Sequence, residues 1–374
     1  MKTISAMIGL AAVAAGVSAA EQGVWPVEKA KAWGAAHPWL VGCNFSPSSA
    51  INALEMWQAE SFDRAGIDRE LGWAESLGFN SVRVFLHSIA WQQDPQGFLE
   101  RMDMFLAAAD RHHIGALLVF FDSCWHPEPK AGPQPAPTSH VHNSGWVQDP
   151  GKAVLQNPAA FAALKSYVQT VATRFRDDKR IHGWDVWNEP DNTNDSSYGD
   201  MEPKNKAELV LPKLALAFAW LREVNPSQPL TSGVWRGDWS ADERLTSMER
   251  LQLEQSDVIS FHCYGNGEEL GKRIASLRRY GRPILCTEYM ARPAGSTFEP
   301  CLGILKNEGV GAYNWGFVSG KTQTIYPWDS WKKAYTAEPS VWFHDIFRAD
   351  GAPYLPAEAA YIRTVTGKTA EPKR

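Results

Sequence analysis

Eight short apolar runs recur along the chain, at residues 40–45, 81–86, 115–121, 182–188, 229–234, 258–262, 283–288 and 311–315. Runs of this length, bounded by polar or turn-forming residues, read as buried strands. Between most of them the apolar positions return every three or four residues instead. That spacing predicts helices over 62–77, 98–112, 158–175, 206–223, 270–280 and 298–307, and a last one over 357–365. Strand and helix alternating in this way predict an α/β fold, a (β/α)8 TIM barrel with long βα loops at its C-terminal face, rather than two smaller domains. Three connections far exceed the usual length of about two to six residues: 125–157, rich in Pro, Gly and His; 191–203, with a cluster of Asn, Asp and Ser; and 318–343, which carries Lys321, Trp328, Asp329 and Trp331. Such long connections tend to be functional, and these are expected to wall a substrate groove.

In a barrel of this kind the reacting groups gather where strands end and βα loops begin. The polar residues of this chain fall there. Arg83 lies late in the second run, Asp122 follows the third, Asn188 and Glu189 end the fourth, His262 and Tyr264 end the sixth, Glu288 ends the seventh and Trp315 the eighth. Glu189 and Glu288 fit poorly as surface charges. As a pair they suit cleavage of the acetal between two sugars, in which one acid protonates the leaving oxygen and a second carboxylate attacks or stabilises the anomeric carbon. Arg83, inside Val82-Arg83-Val84, is costly unless paired. Glu288 is its natural partner, with a structural ion pair elsewhere as the alternative. Asn188 reads as a site residue or a strand-ending turn, and His262 as a site residue or a core hydrogen bonder. His262 and Tyr264 are two apart and so share a face.

Trp187-Asn188-Glu189-Pro190 on the fourth strand, His262-Cys263-Tyr264 on the sixth and Thr287-Glu288-Tyr289 on the seventh together resemble the clan A glycoside hydrolases, most closely family 5. The order and spacing of the three motifs carry the resemblance, which spans essentially all of residues 21–374. It implies a single catalytic barrel that cleaves a β-linked glycan with retention and needs no cofactor. Glu189 would be the general acid/base and Glu288 the nucleophile. Asn188 would hydrogen-bond the sugar 2-hydroxyl, Trp315 would floor the −1 sugar site, and Arg83, His262 and Tyr264 would orient the sugar and the nucleophile. The chain departs from the pattern at the third strand, where family members often place a His for the substrate. Here the segment reads Phe120-Phe121-Asp122-Ser123-Cys124-Trp125-His126, so Asp122 or His126 is expected to take that part.

Composition narrows the partners. A formal net charge of −5 and an isoelectric point near 6.1 give no basic footprint for nucleic acid and no cationic helix for a membrane surface. A neutral saccharide and a monomeric protein suit this balance. Seventeen Trp among 374 residues is several times ordinary usage, and many fall in loops: Trp57, Trp91, Trp125, Trp146, Trp235, Trp239, Trp328 and Trp331. Indole faces stack on pyranose rings as readily as they pack in loops, so these positions, Trp125 among them, are expected to help line a sugar cleft.

Five Cys is an odd number, and Cys43, Cys124, Cys263 and Cys286 sit in or beside apolar runs, which favours buried thiols over a disulfide framework; Cys301 is unassigned. Lys2, an apolar stretch over 7–17 and Ser18-Ala19-Ala20 before Glu21 predict a cleavable signal peptide over residues 1–20, hence a secreted or periplasmic protein without membrane insertion. Two rival readings exist. One is a noncatalytic carbohydrate-binding barrel, against which the presence of both Glu residues argues. The other is a metal-dependent hydrolase using His126, Glu128, His140 and His142, whose spacing follows no zinc pattern.

Overall fold

The computed structural model describes residues 23–368, so the leader expected over 1–20 lies outside the described residues. Eight strands, β1 (Val41–Asn44), β2 (Ser81–Phe85), β3 (Gly115–Asp122), β4 (Ile181–Asn188), β5 (Leu230–Thr231), β6 (Ile259–His262), β7 (Ile284–Tyr289) and β8 (Gly311–Asn314), form one parallel sheet. Its order is β5-β4-β3-β2-β1-β8-β7-β6. Val234 draws the remaining seam together: its N–H donates to Ser260 O at 3.1 Å and its carbonyl accepts from His262 N at 3.0 Å. This is the expected (β/α)8 barrel.

The barrel is a filled core. Leu40, Leu117, Val258, Leu285 and Tyr313 form one buried cluster, apart from the larger one contributed by the sheet and its surrounding helices. Near-continuous apolar strands are what a parallel sheet covered on both faces requires. Helix starts are set by local chemistry. Asp63 accepts from Gly66 N ahead of Arg64–Ser76, Pro95 and Pro158 occupy first-turn positions, and Thr246 with Glu249 forms a reciprocal capping box on Ser247–Gln255.

Elements differ from the sequence expectation in several places, among them helices Val27–Ala36, Ala53–Trp57 and Ser88–Gln93, which were not expected. The fifth strand is two residues long, because the chain turns away after Thr231 and rejoins the sheet only at Val234. The stretch 158–175 is divided at Leu164 into Pro158–Ala163 and Lys165–Arg174. Helix Ser247–Gln255 fills the β5–β6 connection, where no helix was expected from a segment carrying few apolar residues. Among the described residues, no helix is long and apolar enough to cross a membrane.

Strand register aligns the polar ends. Asn44 pairs with Arg83 across β1 and β2, Asp122 with Asn188 across β3 and β4, and His262 with Glu288 across β6 and β7. The ladder shifts beside the last pair, between Phe261 and His262, and again between Cys286 and Tyr289. Such irregularities re-aim side chains where strands end.

Candidate active site

A cleft of about 260 Å³ opens at the C-terminal end of the barrel, lined by Cys124, Trp125, His142, Asn188, Glu189, Tyr264, Glu288, Trp315 and Trp328, and by Asn192, Asn194, Asp195, Ser196 and Trp235. Arg83 and His262 lie directly beneath it through their bonds to the two acids. Glu189 and Glu288 are 8% and 5% exposed, so each carboxyl presents only an edge to the cleft. A carboxylate oxygen of each, together with a ring nitrogen of His262, fall within 4.8 Å of one another.

The two acids have different partners. Glu288 Oε1 accepts from Arg83 Nη1 at 2.9 Å, and Glu288 Oε2 accepts from the Tyr264 hydroxyl at 2.8 Å. Glu189 Oε2 accepts from Asn192 Nδ2 at 2.6 Å and from the Cys124 thiol at 3.2 Å, while Oε1 lies 2.8 Å from His262 Nδ1. His262 Nδ1 is also 3.5 Å from Glu288 Oε2. Burial pushes the His262 imidazole down to about 4, so at neutral pH the ring facing Glu189 is uncharged. Burial raises both carboxyls above their ordinary value. Cys124, Asn192 and the charge of Arg83 oppose that rise at Glu189, and the Arg83 guanidinium and the Tyr264 hydroxyl oppose it at Glu288.

Arg83 is fully buried and holds the constellation together. Its Nε and Nη2 donate to Asp185 Oδ2 at 3.0 and 2.8 Å, its Nη1 reaches Asn44 Oδ1 at 2.9 Å as well as Glu288, and its Nη2 reaches Asn188 Oδ1 at 2.7 Å. A buried guanidinium with this many acceptors satisfies the condition under which such a charge is tolerated. Asn188 is thereby fixed from one side by Arg83 and from the other by Asp122, whose Oδ1 accepts from Asn188 Nδ2 at 2.9 Å. Asp122 also accepts from Trp146 Nε1 at 2.7 Å, and burial lifts its carboxyl to about 6.

The loops bear on several sequence expectations. Asp122 supports Asn188 from behind. His126 does not line the cleft either: its Nδ1 accepts from Glu128 N at 3.1 Å and its ring meets Tyr198 edge-on. Cys124 and Trp125 stand at the cleft instead. Sequence reasoning counted Cys124 among the buried thiols, yet it is half-buried against Glu189; its place two residues past the end of β3 was the available signal. All five thiols are free. The four residues of the metal reading do not converge. His140 Nδ1 bonds Tyr335 O, His142 Nδ1 bonds Tyr326 O, and Glu128 pairs with Lys152. Among the described residues the one cluster close enough to hold an ion is Glu189, His262 and Glu288 themselves. Of the loop tryptophans, Trp57, Trp146 and Trp239 are packed in the interior, whereas Trp125, Trp235 and Trp328 line the cleft.

Glu189 and Trp125 adopt positive φ, 42° and 70°. Non-glycine residues in that region are uncommon, and they concentrate at functional sites.

A family model described as Cellulase (glycosyl hydrolase family 5) matches residues 70–320. Among solved structures, the β-mannanase of the blue mussel Mytilus edulis is 18% identical, with a TM-score of 0.56 over 82% of this chain and 95% of that one. The exo-β-1,4-mannosidase Op5Man5 of an Opitutaceae bacterium is 20% identical, with a TM-score of 0.58 over 88% of this chain and 59% of that one. GH5_18 from Streptomyces cattleya, solved with GlcNAc, is 16% identical, with a TM-score of 0.55 over 89% and 82%. At these identities the likeness supports the barrel fold. No curated protein gave a significant match.

Proposed function

The chain belongs to glycosyl hydrolase family 5, and from that premise we propose a secreted retaining glycosidase that cleaves a β-linked glycan through a covalent intermediate on Glu288. The observation that carries this reading is the division of partners between the two acids. The charged donor Arg83 and the Tyr264 hydroxyl are both spent on Glu288, which favours its ionised form. Glu189 has no cation bonded to it, and its burial favours the protonated form against the smaller pull of the Cys124 thiol and Asn192 amide that donate to it. Two neighbouring carboxyls of which one is paired with a buried cation and the other is not are suited to the separate parts of nucleophile and acid. Their close approach suits retention, for which the groups stand roughly 5–5.5 Å apart, rather than inversion, which leaves room for a water at roughly 6.5–9.5 Å.

In the first step a Glu288 oxygen forms a bond to the anomeric carbon as the bond to the leaving oxygen breaks, and the Glu189 proton passes to that oxygen. Water then attacks the anomeric carbon, gives a proton to Glu189 and releases Glu288. Asn188, clamped by Arg83 and Asp122, presents its amide to the sugar 2-hydroxyl, a contact that strengthens in the transition state. Trp315 and Trp125 offer indole faces to the ring.

The names of the structural relatives make β-1,4-linked mannosides the first class to try. The test is release of reducing sugar from mannans, β-glucans, xylans and aryl β-glycosides, with Glu288→Gln run beside the wild type. Activity on one class that disappears in the variant supports the reading, and wild type inert on every member contradicts it. Export is checked by sequencing the N-terminus of protein recovered outside the cytoplasm, which should begin at Glu21.

A further inference from the structure

We infer that the cleft is closed on its glycone side, so that the enzyme removes single sugars from the non-reducing end of its glycan instead of cutting within it. This rests on the glycosidase reading above and specifies its mode of action. The observation is the path of the eighth βα loop. One short turn, Trp328–Trp331, touches two distant parts of the barrel rim. At one end the Trp328 ring packs edge-on against Tyr264, which follows β6, with centroids 5.0 Å apart. At the other end Trp331 stacks on Trp125, which follows β3, at 5.7 Å and an interplanar angle of 18°, and meets Tyr198 of the loop after β4 edge-on at 4.8 Å. The turn belongs to the loop that leaves β8, on the side of Glu288 and Trp315, and joins the rim after β6 to the loops after β3 and β4.

This bar is tied down along its length. Trp331 Nε1 donates to His142 O at 2.8 Å, and His142 returns two bonds, from its N to Ser330 Oγ at 3.0 Å and from Nδ1 to Tyr326 O at 2.8 Å. Asn143 N donates to Thr322 O at 2.9 Å. Gln323 reaches across in both directions, accepting from His140 N at 2.8 Å and donating to Thr138 O at 2.7 Å. Bonds spread over residues 138–143 and 322–331 fix the two loops to each other as one wall. The opposite rim, after β4 and β5, is lined by Asp195 and Ser196, both exposed, and by Trp235.

Chemistry gives this asymmetry a direction. The acid that protonates the leaving group, Glu189, ends β4 on the open side, and the carboxylate that takes the anomeric carbon, Glu288, lies on β7 on the barred side. The departing chain therefore extends over the open rim, and the sugar bonded to Glu288 has a wall beyond it. A sugar whose far end meets a wall is a chain terminus, and because its anomeric carbon faces the departing chain, that terminus is the non-reducing one.

The test uses reducing-end-labelled β-1,4-mannohexaose, cellohexaose and xylohexaose, sampled at under a tenth of total conversion. The expected result on whichever is cleaved is free monosaccharide with labelled pentaose, and no reaction when the terminal 4- and 6-hydroxyls are blocked. Trp331→Ala, which removes the stack and the bond to His142, is expected to release shorter labelled fragments from the start. A full ladder of labelled products from the wild type, abolished by Glu288→Gln, overturns the inference while leaving the glycosidase reading standing. No product from any of the three hexaoses, with activity on polymer in the reducing-sugar assay, overturns it equally. Inactivity on polymers and oligomers alike removes both readings.

Discussion

The Cys124 thiol donates to Oε2 of Glu189 at 3.2 Å. A thiol is a weak donor, and its hydrogen bond favours the carboxylate over the acid, so Cys124 holds the Glu189 carboxyl lower than burial alone would place it. The group proposed to give up a proton is thus restrained from holding it too tightly.

That restraint is testable through the pH dependence of kcat. Its alkaline limb reports loss of the proton from the acid in the enzyme–substrate complex. Cys124→Ala removes a bond that favours the ionised form, so Glu189 stays protonated to higher pH and the limb moves up. Cys124→Ser, keeping a donor in place, should leave it near the wild-type position. An alkaline limb that moves down in the Ala variant contradicts the assignment of Glu189 as the acid.

Arg83 neutralises Asp185 and Glu288 at once from a fully buried position. Arg83→Met leaves both carboxylates without their cation, and breaking a buried pair in this way costs about 3–5 kcal/mol. The variant should also lose activity, since Asn188 and Glu288 lose a common anchor. Without the cation that opposes its rise, the Glu288 carboxyl binds its proton still more tightly in the folded state than in the unfolded one. The destabilisation relative to wild type should therefore grow as pH rises, and chemical unfolding at pH 5 and pH 8 measures it. Equal losses at both values would show that the carboxyls are not what Arg83 stabilises.

The barrel was legible in the sequence because a buried parallel strand has few alternatives: Gly115–Asp122 is apolar up to its final Asp122, and Ile284–Tyr289 opens apolar and carries its one charge, Glu288, next to its end. Glu189, Glu288 and Arg83 could be singled out for the same reason, as charges that such runs cannot carry without a partner. The loops carried no comparable constraint. Trp146 and Trp125 sit in one connection with similar neighbours, yet one is interior and bonded to Asp122 and the other lines the cleft. What separates them is contact with residues far along the chain, in particular the stack of Trp125 on Trp331. Nor could the sequence tell that Asp122 and His126 are absent from the cleft lining, since the partners of Asp122, Trp146 and Asn188, come from other loops and strands.

Asp149 offers a stability prediction away from the chemistry. Its carboxyl accepts from Ser88 N at 2.6 Å and Ser88 Oγ at 2.5 Å, and burial nonetheless pushes it up to about 7. The neighbouring His87, driven down to about 3 by the same burial, supplies no positive charge at neutral pH. A folded-state value above the unfolded one means that the folded protein holds this proton more tightly. The stability it contributes is complete below the unfolded value, near 4, and is lost as pH rises through about 7, a change on the order of 4 kcal/mol. Asp149→Asn removes that proton linkage. Thermal unfolding from pH 4 to pH 8 should therefore show the wild type losing ground to the variant as pH rises, and a pH-independent difference between the two would refute it.

The strongest separation of the two acids comes from substrates that differ in their need for a proton. Glu189→Ala removes the group assigned to protonate the leaving oxygen, and general acid catalysis contributes about 10²–10⁴-fold where the leaving group is a poor one. A sugar hydroxyl is such a group; an activated phenol leaves as its anion with little help. Hydrolysis of the natural glycan should fall by that factor, while formation of the glycosyl intermediate from a dinitrophenyl β-glycoside should be nearly unchanged, so that a burst of phenol precedes slow turnover. The burst arises because water must then attack without Glu189 to accept its proton, and the intermediate accumulates on Glu288. Glu288→Gln should abolish both reactions and show no burst. Equal losses on both substrates in Glu189→Ala would mean that Glu189 acts before the leaving group matters, and the roles of the two carboxyls would have to be reassigned.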